Sequence, residues 1–125
     1  MLHIILDGST FHDLDGFYEA IYGLMTLNQD WSPAHNLDAL NDMLYGGFGT
    51  EPVAFIWKDA AKSKADLGLP ATIEFYQKKI EQGRPFNVVW AQQQLDDLNI
   101  GNGQTLFDII VSILQDHKHI QLTLQ

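Results

Sequence analysis

Asp38 and Asp42 stand four residues apart in the stretch Trp31-Ser-Pro-Ala-His-Asn-Leu-Asp-Ala-Leu-Asn-Asp-Met-Leu-Tyr-Gly-Gly47. On a helix this spacing puts both carboxylates on one side, one turn apart, where they repel by roughly a few tenths of a kcal/mol. No Lys or Arg follows on the same face to offset the repulsion. Two kinds of chemistry are open to such a pair. Acid/base catalysis needs one carboxyl in an apolar pocket that raises its pKa, whereas Asn41 and Tyr45 make this face polar and open. Binding needs only that the pair be rigid and exposed. Surface carboxylates mostly do nothing specific, so spacing alone leaves a solvated helix and a partner site both standing.

Other candidate groups are weaker. His117-Lys118-His119, beside Asp116, offers a His-x-His pair, but no third ligand stands at a spacing that would complete a metal site. Polar and cationic residues near a helix C-terminus are common for dipole reasons, and no metal or cofactor is expected. His3 reads as a core or edge histidine and His12 as a surface one. Asp7-Gly8-Ser9-Thr10 resembles the Asp-x-Asp-Gly-Thr start of haloacid-dehalogenase-like phosphatases, but Ile5 occupies the place of the nucleophile. A strand-to-helix turn is the expected role. Gly46-Gly47-Phe48-Gly49 and Gly101-Asn102-Gly103 lack the lysine and helix cap of a phosphate-cradling loop. Trp31, Trp57 and Trp90 are not interleaved with the Arg and Lys that base stacking requires, and Asp96-Asp97 reads as a solvated face. No catalytic residue is expected.

The whole chain frames these choices. Its 125 residues amount to one domain, long enough to bury roughly two-thirds of the unfolded surface. There is no cysteine, which removes disulfides, thiolate metal sites and thiol nucleophiles together. Sixteen acids against seven bases give a formal net charge of −9 and a pI near 4.6. Such a field repels nucleic acid and anionic membrane and attracts a basic protein. The start, Met1 to Asp7, has no basic segment, and its apolar run is short for a signal peptide or membrane span. A soluble cytoplasmic protein, monomeric when free, is expected.

The elements that must position the aspartates follow from periodicity. Leu2 to Leu6 is an apolar run expected as a buried strand ending in the Asp7–Thr10 turn. Thr10 with Asp13 resembles a capping box for a helix carrying Leu14, Phe17, Tyr18, Ile21, Leu24 and Met25 to about Leu27. Asn36 suits the N-cap of the second helix, in which Leu37, Leu40 and Leu44 share the side opposite the aspartates. The Gly46–Gly49 run stops it. Pro52 to Trp57 predicts a second buried strand, and Lys58 to Leu67 a short polar helix closed by Gly68. Thr72 to Gln82 predicts another helix, and Asn87 to Leu98 fits a helix through Val88, Ala91, Leu95 and Leu98, though Phe86 to Trp90 also fits a strand. Thr105 caps an apolar helix from Leu106 to Leu114. The alternation of Ile120, Leu122 and Leu124 predicts a half-exposed edge strand. Three strands separated by helical connections predict an α/β fold with a small three-stranded parallel sheet covered by helices.

Asn36-Leu37-Asp38-Ala39-Leu40-Asn41-Asp42-Met43-Leu44 closely resembles the Asn-Leu-Asp-Ala-Leu-x-Asp-x-Leu helix of the barstar family of ribonuclease inhibitors. Val53 to Trp57 followed by Lys58 and Ser63-Lys64 resembles that family's second strand and next helix. Asn102-Gly103 through Leu124 resembles its last helix and strand. Residues 69–100 look like an inserted helical segment within a single domain spanning 1–125. The resemblance implies a non-enzymatic inhibitor that occludes the active site of a basic microbial ribonuclease of the barnase-like class. Asp38 and Asp42 match the helix aspartates that meet the enzyme's phosphate-binding basic residues, and Asn36 matches the motif at the start of the helix. Ala34 and Asn41 fall where the family carries aromatic residues, before the helix and between the two aspartates, and near Ser112 a further interface acid is missing. Trp31 and Tyr45 are expected to supply substitute contacts. The rival reading is an acidic interaction module of the same fold with a basic partner that is not a nuclease.

Overall fold

A computed structural model describes residues 1–25, 33–46 and 51–125. Trp31, the expected helix end near Leu27 and most of the glycine stop lie outside the described residues. The elements run β1 (Leu2–Asp7), α1 (Leu14–Met25), α2 (Leu37–Leu44), β2 (Val53–Lys58), α3 (Ala60–Asp66), α4 (Leu69–Gln82), α5 (Val88–Asn99), α6 (Leu106–Asp116) and β3 (Ile120–Leu124), with a 3-10 turn at Gly8–Thr10. The sheet is parallel throughout in the order β1-β2-β3. Leu2 pairs with Val53 and Val53 with Ile120, and the register holds to Trp57 and Leu124. The expected α/β architecture is therefore the observed one.

Because side chains alternate along a strand, this register sorts the sheet into two faces. Leu6, Val53, Phe55, Trp57 and Ile120 are buried on one of them. There they meet Phe17, Tyr18, Ile21 and Tyr22 of α1, Leu40 and Leu44 of α2, and Leu106, Phe107, Ile110 and Leu114 of α6. Trp57 is the hub. Its ring stacks on Phe17 at 5.5 Å and lies 5.1 Å from Phe107. Its indole N–H donates to Ser63 Oγ at 3.0 Å, so the polar end of the largest core side chain is satisfied.

On the opposite face His3, Ile5, Gln121 and Thr123 are exposed. The expectation that Leu2 to Leu6 is a buried strand is corrected here. An apolar run signals burial on both faces only when both faces are covered, and in this fold one is not. The expected capping of the first helix by Thr10 is also corrected. Asp13 Oδ1 accepts from Gly16 N at 2.7 Å, while the Thr10 hydroxyl donates to the carbonyl of Asp7. A carboxylate next to Leu14 is better placed for the first free amides than a hydroxyl three residues earlier.

Residues 69–100 form a helical hairpin, α4 and α5, so the strand alternative for Phe86 to Trp90 falls away: Asn87 caps a helix there, accepting from Trp90 N at 2.9 Å. The fourth helix starts at Leu69, three residues before the expected Thr72, with Pro70 in its first turn where its missing N–H costs nothing. The hairpin has its own small core of Tyr76, Ala91, Leu95 and Leu98. Buried Thr72 ties it to the body, its hydroxyl donating to Gly68 O at 2.7 Å and accepting from Leu106 N at 2.8 Å.

Candidate functional site

The second helix is held as the sequence predicts. Asn36 Oδ1 accepts from Ala39 N at 2.7 Å, satisfying an otherwise free first-turn amide. Leu40 and Leu44 are fully buried, and Leu37 half-buried beside them. With one face locked into the core, the other is fixed in space without further cost in chain entropy. Asp38 and Asp42 lie on it, both exposed. Among the described residues neither carboxylate has an ion-pair partner.

The other expected site residues divide. Ala34 is exposed just before the helix, and its carbonyl accepts from the Tyr22 hydroxyl at 2.9 Å, which anchors the start of the helix to α1. Tyr45 is 73% exposed and meets the edge of the His117 ring at a centroid distance of 4.7 Å. Asn41 is half-buried, and its Oδ1 lies 2.9 Å from His117 Nε2. An amide oxygen only accepts, so this imidazole nitrogen carries the proton. Asn41 thus fastens α2 to the end of α6 while keeping part of its surface toward solvent.

That bond gives His117 a role the sequence does not display. The residue is buried, and burial pushes its pKa below the ordinary histidine range, with nearby His119 adding to the effect and Asp116 opposing it. Its Nε2 is already committed. Among the described residues no group of three or more His, Cys, Asp or Glu side chains could hold a metal ion. Nor is any described helix long and apolar enough to cross a membrane.

A cleft of about 780 Å³ opens beside the N-terminal half of α2. Asn36, Asp38 and Asn41 form one wall, and Phe86, Trp90 and Lys79 of the hairpin form part of the other. The Lys79 ammonium lies over Phe86, 4.0 Å from its centroid, and 4.6 Å from that of Phe75. Partial burial lowers the Lys79 pKa, and the charge of Asp38 counters that shift. The signal for Trp90 was present in the sequence. Ala91, Leu95 and Leu98 share one helical side, and Trp90 falls off it.

The arrangement suits recognition better than catalysis. Two open carboxylates on a rigid helix lack the apolar pocket that would turn either into a general acid, but they are preformed acceptors for cationic donors. Fold and site thus define a small α/β protein that presents an acidic helix. Compared with known families, residues 1–91 match Barstar (barnase inhibitor), and the chain belongs to that family. It is a family of inhibitors, so the protein is not an enzyme. No curated protein and no solved structure matches the chain.

Proposed function

We propose that this protein binds and occludes the active site of a basic microbial ribonuclease of the barnase-like class, with α2 as the inserted element. The observation that carries this reading is the pair Asp38 and Asp42, exposed and, among the described residues, without ion-pair partners, on a helix whose other side buries Leu40 and Leu44. A carboxylate presents the same acceptor geometry to Arg and Lys as a phosphate oxygen. The two aspartates therefore stand in for RNA phosphates, with Asn36 and Ala34 shaping the start of the helix, Asn41 its middle and Tyr45 its far end. Trp31 precedes them in the chain and supplies a flanking aromatic contact. The net charge of −9 accelerates encounter with a basic enzyme. The protein acts in the cytoplasm as a monomer until it meets its target, and residues 69–100 are an addition to the inhibitor domain that fills 1–125.

The test is hydrolysis of RNA by a panel of purified barnase-type ribonucleases with and without the protein. Inhibition of at least one enzyme, weakening steeply with added salt and lost in Asp38→Ala/Asp42→Ala, is the expected result. Uniform indifference of the panel at micromolar protein would remove the nuclease target. Capture of a basic protein of another kind, dependent on the same two aspartates, would keep the surface and change the partner.

A further inference from the structure

The hairpin carries more apolar surface than its own packing uses. Trp90 meets Tyr76 edge-on at 5.6 Å and remains 48% exposed, and neighbouring Val89 is 82% exposed. The exposed indole borders the same cleft as Asp38, with Asp116 of α6 on a further wall. One cation is already held there, the Lys79 ammonium over two phenyl rings and within the field of Asp38.

We propose that this cleft is the second half of the partner surface, receiving an arginine or lysine side chain on a loop of the same basic ribonuclease that α2 engages. The inference rests on the function proposed above and extends it to the hairpin. Charge complementarity selects the occupant. Asp38 and Asp116 supply carboxylates, Trp90 supplies a π face, and a cation between a carboxylate and an aromatic face gains from both. The cleft, of about 780 Å³, has room for such a side chain. Lys79 is the selectivity element. Its ammonium already draws on the field of Asp38, which penalises an incoming cation.

The two halves are separated by titration calorimetry of the full-length protein against a barnase-type ribonuclease from the inhibition panel. The variants are Trp90→Ala, Lys79→Met and Asp42→Asn. We expect Trp90→Ala to weaken binding about tenfold or more, as for a central aromatic anchor. Lys79→Met should tighten it several-fold, a direction that a merely structural role would not produce. Hydrogen exchange on the unaltered complex should show protection in residues 86–94 as well as in α2, a readout independent of whether Trp90→Ala folds. If Asp42→Asn abolishes binding while Trp90→Ala and Lys79→Met stay within about twofold and residues 86–94 gain no protection, the cleft is unused and only the α2 reading survives. If no enzyme of the panel binds, both readings fall. Concentration-dependent dimerisation in sedimentation, lost in Val89→Glu, would assign the hairpin surface to a second copy of the chain and overturn the proposal.

Discussion

His117 Nε2 lies 2.9 Å from Asn41 Oδ1, a bond across 76 positions of sequence that joins the end of α6 to the middle of the acidic helix. It is the polar counterpart of the Leu40 and Leu44 contacts, and it falls on the same turn of α2 as Asp42. Removing the acceptor leaves a buried imidazole N–H without a partner, a loss of about 1–3 kcal/mol. Asn41→Ala should therefore lower the urea midpoint by a corresponding amount. Asn41→Asp, which keeps an acceptor, should lose less, and equal losses in the two variants would show that the bond does not hold the helix.

Burial of the same imidazole makes stability depend on pH. Burial lowers the pKa of His117 in the folded protein, against an ordinary value of 6.5. The unfolded chain therefore takes up a proton at a higher pH than the folded one does. The stability contributed by neutral His117 is fully present above 6.5 and is lost as pH falls through the folded value. Unfolding midpoints should hold steady above about pH 7 and decline below it, and His117→Gln should flatten that decline. An unchanged slope in the variant would assign the effect to other groups.

How far the sequence displays these features depends on the range of the interaction. The face of α2 was legible because Leu37, Leu40 and Leu44 and the Asn36 cap are local signals, and α2 forms as they require. The parallel sheet was legible because its strands are separated by helical crossovers. The open face at His3 and Ile5 was not, since an apolar run does not reveal how many layers cover it. The bond between Asn41 and His117 was illegible for the same reason. Nothing local in either segment encodes a partner on the other. The cleft beside Asp38 arises only when the hairpin folds back, with its position set by Thr72 and Leu106.

Thr72 offers a direct measure of that attachment. Its hydroxyl both donates and accepts, bridging the start of α4 to the first amide of α6 in a fully buried place. Thr72→Val keeps the shape and removes both bonds, leaving the Leu106 N–H unpaired, for a loss of about 1–3 kcal/mol. Hydrogen exchange at Leu106 should rise sharply in this variant. Unaltered exchange there would mean that the hydroxyl is not its acceptor.

Gly8 is fixed by close approach. A Cβ there would sit 2.5 Å from Ser63 Oγ, 2.7 Å from the carbonyl oxygen of Lys58 and 2.9 Å from that of Asp59. Two of these three neighbours are backbone at the junction of β2 and α3, where Asp59 already adopts a positive φ of 55°. Gly8→Ala should therefore destabilise by about 1–3 kcal/mol through overpacking and lower the thermal midpoint, whereas Gly23→Ala, where a Cβ would meet no atom of the described residues within 4 Å, should not lower it. Equal midpoints for Gly8→Ala and the parent would show that the junction yields without cost.

Asp42 should separate stability from binding most cleanly. It is exposed, without an ion-pair partner among the described residues, and one turn from Asp38. Asp42→Asn removes the like-charge repulsion and should leave the fold unchanged or stabilise it by about 0.2–0.5 kcal/mol. Asp38 differs, because its place in the first turn of α2 gains from the helix dipole, which offsets part of the repulsion. If Asp42 meets a cation in the partner's active site, the same substitution should cost the complex about 2–5 kcal/mol, because it leaves a desolvated cation unpaired. Denaturation and calorimetry on one preparation should then move in opposite directions. A loss of binding matched by an equal loss of stability would mean that Asp42 serves the fold instead of the partner.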